Sequence, residues 1–172
     1  MSLDSLCRPL RLILSDVDGV LTDGGIVFDN QGIESKRFHV RDGLGIRLWR
    51  KAGYRFGLIT HRSSNLVRTR AAELGIDLVR QGVDDKRTAV RTIADELRLA
   101  LSQVCYLGDD LPDLPVIRTV GFGVAVADAC PEVREAAHYV TKLPGGSGAV
   151  RELIELILKA QARWEDLIQM YQ

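Results

Sequence analysis

The sequence has 172 residues, with 23 lysines and arginines balanced by 23 aspartates and glutamates, so its formal net charge is zero. A balanced charge gives no support to a nucleic-acid or anionic-membrane partner, and no apolar run approaches the length of a membrane helix. The three cysteines show no paired spacing, and the first ten residues lack the apolar core of a signal peptide, so we expect a cytoplasmic protein. The length predicts one domain over residues 1–172, whose core needs no disulfide.

Residues 12–23, with the sequence LILSDVDGVLTD, are the strongest local signal near the start of the chain. Their apolar beginning predicts a short buried strand, and Asp16 and Asp18 stand where that strand would end. Ligands bind beyond the carboxyl ends of strands in open α/β sheets, and two neighbouring carboxylates repel each other. The pattern favours a site for Mg2+, which takes oxygen ligands. A polar strand end with a solvated turn is the alternative for this stretch alone.

A β-hairpin is predicted over residues 24–39, between the first strand and the first helix. Residues 26–28 and 36–38 flank the sequence DNQG at residues 29–32, which is typical of two short strands joined by a turn. The apolar residues of the hairpin indicate that it packs on another surface, such as a second subunit.

Predicted helices alternate with predicted strands along the rest of the chain. Asp42 is a predicted cap for a helix ending near Ala52, and Ser63, Ser64 and Asn65 are cap-type residues before the next helix. Further strands are predicted at residues 54–60, 77–81, 104–107, 121–127 and 139–141. Helices are predicted at residues 42–52, 66–74 and 86–97, after residue 113, from residue 131, and from about residue 149 after a glycine-rich elbow at 144–148.

This alternation predicts an α/β fold, a Rossmann-like doubly wound parallel sheet with helices on both faces. Short crossovers of this kind force parallel pairing, so the carboxyl ends of the strands share one edge. We therefore expect Asp16, Asp18, Thr60 and Asp109 to converge there, although they are distant in sequence.

The residue types at that edge suit phosphoryl transfer. The chain has no Gly-x-x-x-x-Gly-Lys-Ser/Thr loop and no Gly-x-Ser-x-Gly elbow, and His39, His61 and His138 lack metal-ligand spacing. What remains is a carboxylate pair, a hydroxyl, a lysine at a helix start (Lys86) and a second acid cluster. A carboxylate can form an aspartyl-phosphate, a neighbouring acid can carry the proton, and lysine with Mg2+ can neutralise the transferring group.

These motifs resemble those of the haloacid-dehalogenase-type phosphatases. The sequence DVDGVLTDG from Asp16, then Thr60, Lys86 and GDDLPD from Gly108, match the four motifs of that group in order. The chain resembles in particular the cap-less 3-deoxy-D-manno-octulosonate 8-phosphate phosphatase family. That resemblance extends through VRDGLGIRLW, GVAVADA and GGSGAVRE, which begin at residues 40, 123 and 145.

The resemblance implies roles for the acidic residues. Asp16 would be the nucleophile and a Mg2+ ligand. Asp18 would be the general acid/base, with its backbone carbonyl on the metal. Asp109 would complete the metal ligands, supported by Asp110 or Asp113.

The resemblance also implies a set of substrate contacts. Thr60 and Lys86 would hold the phosphoryl oxygens. The positions that match the substrate-binding residues of the family are Asp18, His39, Val40, Arg41, Asp42, Gly43, Arg47, Arg62, Arg70 and Lys86. Its arginines suit an anionic sugar acid, because guanidinium pairs bidentately with carboxylate and phosphate. Solvated charges on helix faces are the alternative for these arginines.

Two positions depart from the family pattern. His61 stands where the family usually has glycine, and His39 where it has asparagine, so the identity of the substrate stays open. The alternatives are another sugar phosphate, such as a nonulosonate 9-phosphate, and a non-catalytic assembly module related to those on acylneuraminate cytidylyltransferases. The intact Asp16, Asp18, Lys86 and Asp109 argue against the module.

The chain has no room for a separate cap domain. In the cap-less family, hairpins assemble a tetramer, and a neighbouring subunit and the glycine-rich tail cover the site. The resemblance therefore implies a homotetramer, with the hairpin at 24–39 as a flap and the segment 144–172 as tail and final helix. Glycines 145, 146 and 148 would provide the hinge that a mobile lid needs.

Overall fold

The computed structural model describes residues 2–171. The strands in this range are β1 (Leu12–Ser15), β2 (Val27–Phe28), β3 (Glu34–Ser35), β4 (Arg55–Thr60), β5 (Leu78–Gln81), β6 (Val104–Gly108), β7 (Phe122–Ala125) and β8 (Tyr139–Val140). The α-helices are α1 (Leu3–Cys7), α2 (Val40–Lys51), α3 (Asn65–Leu74), α4 (Lys86–Glu96), α5 (Leu114–Ile117), α6 (Pro131–Ala136), α7 (Ala149–Ala160) and α8 (Trp164–Ile168). The sequence patterns did not indicate α1 and α8. None of the described helices is long and apolar enough to cross a lipid bilayer.

Six strands form one parallel sheet in the order β5-β4-β1-β6-β7-β8. Residues Leu12, Ile13 and Leu14 of the central strand are fully buried, as expected for a strand that helices cover on both sides. On one face α2 packs against α3 and α7, and on the other α5 packs against α4 and α6. The predicted α/β fold class is confirmed.

The strand order places the carboxyl end of β1 at a switch point. The chain moves from β1 outward to β4 and β5, and then returns to the other side of β1 as β6. Ser15 pairs with Leu58 of β4 and Leu107 of β6, and the amide of Asp16 still donates to the carbonyl of Leu107 at 3.0 Å. Residues that follow β1 therefore lie between the ends of two neighbouring strands, where open α/β sheets bind ligands.

The predicted hairpin is present, but its second strand lies earlier than expected. Antiparallel pairs join Val27 to Ser35 and Phe28 to Glu34, so β3 does not include residues 36–38. The Asp29 carboxylate accepts hydrogen bonds from the amides of residues 31 and 33, at 2.8 Å each. The turn therefore extends to residue 33, and residues 36–38 leave the hairpin toward the sheet.

Asp42 does not cap the helix that contains it. Helix α2 begins at Val40 after His39, whose side chain makes no capping hydrogen bond. Asp42 is buried, and its Oδ1 accepts a 2.8 Å hydrogen bond from the amide of Arg151 in the first turn of α7. It therefore stabilises the start of a helix 109 residues further along the chain.

The glycine-rich segment before α7 is a packed part of the fold. The amide of Gly145 donates to Asp128 Oδ1 at 2.9 Å, and the amide of Gly146 donates to the carbonyl of Val20 at 2.9 Å. A Cβ atom at Gly145 would lie 1.8 Å from the carbonyl oxygen of Gly19. These contacts hold the segment against the loop after β1, so they do not support the predicted hinge.

Candidate active site

The predicted convergence of strand ends is found in the structure. A small cavity of about 180 Å³ opens at this edge of the sheet. Its lining consists of Asp16, Asp18, Thr60, His61, Arg62, Lys86, Asp109, Asp110 and Pro112. Every residue predicted to be catalytic or to bind metal lies in this lining.

Asp16 is held at the floor of the cavity by two partners. Its Oδ1 accepts a 2.7 Å hydrogen bond from the amide of Val17, and its Oδ2 lies 2.7 Å from Lys86 Nζ. Burial raises the pKa of Asp16 to about 6, and the charge of Asp113 adds to this while Lys86 opposes it. The carboxylate is thus fixed in position and partly desolvated, as a nucleophile requires.

Lys86 is almost fully buried at the first position of α4, where the Asp85 side chain caps the helix. Its ammonium group lies 2.7 Å from Asp16 Oδ2 and 2.7 Å from Asp113 Oδ1. Burial alone would lower the pKa of Lys86, but the charges of Asp113 and Asp16 together raise it. Lys86 therefore remains a cation at the base of the site.

Asp113 anchors the site from below. Its Oδ1 accepts hydrogen bonds from Lys86 and from the hydroxyl of Tyr106, at 2.7 and 2.6 Å, and its Oδ2 accepts the amide of Asp109 at 3.0 Å. The sequence does not identify Tyr106 as part of the site. The one signal is general: the hydroxyl of a tyrosine in a buried strand usually needs a hydrogen-bond partner. Both oxygens of Asp113 are engaged, so its support of the metal is indirect.

The acidic residues fit a divalent cation. Carboxylate oxygens of Asp16, Asp109 and Asp113 all lie within 4.8 Å of one another, and Asp109 Oδ1 is buried without a hydrogen-bond partner in residues 2–171. Burial and the charges of Asp113 and Asp16 raise the pKa of Asp109 to about 8. Mg2+ would relieve this repulsion and satisfy the free oxygen, with Asp16 and Asp109 as its carboxylate ligands.

Gly19 makes the approach of Asp109 to this site possible. Its φ angle is +87°, and a Cβ atom there would lie 2.1 Å from Asp109 Oδ2. Any side chain at this position would therefore displace a predicted metal ligand.

The raised pKa values predict how stability depends on pH and on metal. Without metal, folded Asp109 and Asp16 keep protons at pH values where the unfolded chain, with aspartate pKa near about 3.9, has lost them. The free energy of unfolding then falls as the pH rises from about 4 to about 8. In chelator we expect the melting temperature to drop by several degrees between about pH 5.5 and about pH 8.5. Saturating Mg2+ should remove most of that drop.

Asp109→Asn is the control for this experiment, measured by thermal unfolding in the same buffers. The variant lacks the carboxyl group with the most strongly raised pKa, so its melting temperature in chelator should depend less on pH. Equal pH dependence in wild type and variant would contradict the account.

Asp18 is not part of the carboxylate cluster. Its Oδ1 contacts the ammonium group of Lys36, and its Oδ2 lies 3.8 Å from Arg62 Nε. Its predicted metal contact through the backbone carbonyl stays a prediction. Lys36 and its neighbour Glu34 are not among the predicted site residues. The sequence around a charged residue of a hairpin does not indicate which distant side chain it contacts.

Apart from Asp18, Arg62 and Lys86, the predicted substrate residues lie outside the cavity. Residues 39–43 form the start of α2, near Gly148 and Leu143. Arg70 lies against Gly43 and over the ring of Phe38, and it forms an ion pair with Glu73. Arg47 donates a hydrogen bond to the backbone carbonyl of Glu73. Of the predicted substrate arginines at positions 41, 47, 62 and 70, only Arg62 lines the cavity. The predicted substrate-binding residues are thus divided between two places on the chain.

Comparison with known proteins places this geometry in a family. A family described as haloacid dehalogenase-like hydrolases matches residues 59–153. The 3-deoxy-D-manno-octulosonate 8-phosphate phosphatase of Yersinia pestis is 48% identical over 156 residues, covering 91% of this chain and 83% of that protein. The corresponding protein of Escherichia coli K12 is 46% identical over 157 residues, covering 91% and 84%.

A solved structure agrees with this placement along almost the whole chain. The 3-deoxy-D-manno-octulosonate 8-phosphate phosphatase of Moraxella catarrhalis, crystallised with magnesium ion, phosphate ion and a KDO molecule, superposes with a TM-score of 0.96. The two chains are 44% identical, and the match covers 98% of this chain and 97% of that one. The chain therefore belongs to the 3-deoxy-D-manno-octulosonate 8-phosphate phosphatase family of haloacid dehalogenase-like hydrolases and is a phosphoric monoester hydrolase.

Proposed function

We propose that the chain hydrolyses 3-deoxy-D-manno-octulosonate 8-phosphate through an aspartyl-phosphate on Asp16, with Mg2+ as cofactor. The observation that carries the proposal is the buried pair of Asp16 and Lys86 beside the unpartnered oxygen of Asp109. The named relatives act on this substrate, and their similarity supports the same assignment here. We also propose a cytoplasmic location, because the cysteines in the described residues are free thiols and reducing compartments keep thiols in that form.

In the first step, an Asp16 carboxylate oxygen attacks the phosphorus, and the bond from phosphorus to the sugar oxygen breaks. Asp18 gives its proton to that oxygen, which leaves as the hydroxyl of the free sugar acid. Lys86, whose ammonium group already lies at Asp16, and Thr60, buried at the end of β4, hold the phosphoryl oxygens. Bound Mg2+ neutralises charge on the transferring group.

In the second step, water attacks the phosphorus of the aspartyl-phosphate. Asp18, now ionised, takes a proton from that water, and the bond between phosphorus and Asp16 breaks. Inorganic phosphate and the starting Asp16 carboxylate are the products.

The size of the cavity supports a site completed by a second subunit. A volume of about 180 Å³ falls below the range of roughly 300–1,000 Å³ that is typical of small-molecule pockets. It suits a phosphoryl group, while an eight-carbon sugar acid would extend outside it. We propose that His39, Val40, Arg41, Arg47 and Arg70 of a neighbouring subunit contact the sugar, since on their own subunit they lie outside the cavity. Asp42 and Gly43 are buried and would support this segment from within.

The hairpin supplies a surface for such an assembly. Four apolar side chains of the hairpin are each about half exposed: Ile26, Val27, Phe28 and Ile33. An exposed apolar cluster of this kind usually marks an interaction surface. We propose that hairpins of several subunits pack together in a homotetramer.

Phe28→Asp tests this assembly. The wild-type chain should sediment as a tetramer, and the variant should dissociate because a charge cannot be buried in the apolar contact without large cost. Turnover of the sugar-acid phosphate should fall by at least about 10-fold, because the contacts from the neighbour are lost. Asn30→Asp, at the exposed tip of the same hairpin, adds the same charge and should change neither property. A monomeric wild-type chain with full activity would contradict the shared site.

The choice of substrate can be tested with a panel at matched concentration. It should contain 3-deoxy-D-manno-octulosonate 8-phosphate, a nonulosonate 9-phosphate and a sugar phosphate without a carboxylate. We expect the highest kcat/KM for the first and a clear loss without the carboxylate, since arginine recognition requires it. His61, where the sequence departs from the family pattern, lines the cavity. A higher kcat/KM for the nonulosonate 9-phosphate would therefore assign the chain to that alternative substrate. No turnover of any member would overturn the proposed function.

A further inference from the structure

Lys36 is a buried cation that the proposed mechanism does not use. It follows β3, and its side chain is only 1% exposed beneath the hairpin. Its ammonium group contacts the Asp18 carboxylate and lies 3.3 Å from Glu34 Oε1. An ammonium group loses its hydration when it is buried, so it persists there only with charged partners. The two carboxylates therefore define where Lys36 points.

Glu34 fixes Lys36 from the other side. Its Oε1 accepts a 2.7 Å hydrogen bond from Arg62, and its Oε2 accepts a 2.8 Å hydrogen bond from the hydroxyl of Ser64. These donors and Lys36 lower the pKa of Glu34 to about 2 against the effect of burial. The hairpin is thus bound to the loop after β4 at the mouth of the cavity.

Asp18 hydrogen-bonds a neighbouring side chain through one oxygen only, while its second oxygen lies 3.8 Å from Arg62 Nε. Oδ1 contacts Lys36, whereas Oδ2 is buried and has no hydrogen-bond partner among the described residues. Since Asp18 lines the cavity, Oδ2 is the oxygen left to exchange a proton with a reacting group. A carboxylate without the Lys36 contact could rotate and lose this alignment.

We propose that Lys36 is a positioning residue, which Glu34 orients and which holds Asp18 through Oδ1 so that Oδ2 meets the leaving-group oxygen. The inference rests on the proposed function, in which Asp18 carries the proton. It also makes the docked hairpin part of the catalytic apparatus, because the hairpin delivers Lys36 to Asp18.

The test compares leaving groups that differ in their need for a proton. A sugar hydroxyl must be protonated as it leaves, whereas 4-nitrophenolate leaves readily as an anion. For Lys36→Met, single-turnover release of the sugar should slow by about 10- to 100-fold, because misplaced acid catalysis costs that much. Release of 4-nitrophenolate from 4-nitrophenyl phosphate should change by less than about 3-fold. The sugar phosphate should show the loss in kcat and not in KM.

Two further variants make the result specific. Glu34→Gln leaves Lys36 in place but removes the charge that orients it, so it should give the same pattern with a smaller loss. Arg37→Met is the matched control, because Arg37 is the next residue, is 79% exposed and pairs with Asp23 away from Asp18. It should leave both rates unchanged. Thermal unfolding of each variant checks that it is folded.

Equal losses on both substrates, or no loss on the sugar phosphate, would overturn the inference about Lys36. The comparison uses whichever sugar phosphate the wild-type enzyme hydrolyses best. A wrong substrate assignment therefore changes the panel result and leaves the leaving-group comparison valid. A wild-type chain inactive on every phosphate monoester would overturn both the inference and the proposed function.

Discussion

Asp16→Asn is expected to lower the rate of phosphate release by about 10⁴-fold or more, because removal of a nucleophile has effects of this size. An amide cannot form the acyl-phosphate, so no other residue replaces the lost step. The fold should remain, since the asparagine oxygen can still accept the hydrogen bond from the amide of Val17, and Lys86 keeps its contact with Asp113.

The control for Asp16→Asn is Asp110→Asn. Asp110 lines the same cavity but is exposed, and its carboxylate caps a short turn through the amide of Leu111. Asparagine is an equally good cap, so activity should stay within a few-fold of wild type. If Asp16→Asn retained more than about a tenth of the wild-type rate, the increase in the activation free energy would be under about 1.4 kcal/mol. That result would reject Asp16 as the nucleophile.

Lys86→Met is expected to affect both stability and turnover. The substitution leaves the buried Asp16 and Asp113 carboxylates without their shared cation, which should lower the free energy of unfolding by about 3–5 kcal/mol. Loss of a cation that holds the phosphoryl group should lower kcat by about 10²–10³-fold. Denaturant unfolding and steady-state kinetics measure the two effects separately.

A second substitution separates the two roles of Lys86. In Lys86→Met/Asp113→Asn the unpaired charge at Asp113 is gone, so part of the lost stability should return while turnover stays low. Lys159→Met removes an exposed partner of Glu155 and should change stability by less than about 0.5 kcal/mol. Normal stability of Lys86→Met would contradict the buried ion network.

Much of the site follows from local patterns in the sequence. Buried apolar runs end in Asp16, Thr60 and Asp109, and short helical crossovers make the strands parallel, so the ends of these strands had to meet. Lys86 follows an aspartate cap at a helix start, which fixes its position against the same edge. These signals depend on periodicity and chain order, and both are readable without coordinates.

Other contacts depend on tertiary geometry that has no local pattern. Asp42 looks like a cap for its own helix, but its partner is the amide of Arg151. The second strand of the hairpin is Glu34–Ser35, earlier than its sequence indicates, so Lys36 follows the strand and contacts Asp18. Gly145 and Gly146 have the sequence pattern of a hinge. In the structure, glycine is needed there because the backbone of the loop after β1 lies too close for a side chain.

The most direct test of the account is phosphate release by the wild-type chain from 3-deoxy-D-manno-octulosonate 8-phosphate, measured with Mg2+ and with a chelator of divalent cations. We expect turnover with Mg2+ at a rate in the ordinary enzymatic range of about 1–10³ s⁻¹, loss of turnover in chelator, and recovery when Mg2+ is restored. Absence of release with Mg2+, or full release in chelator, would contradict the account.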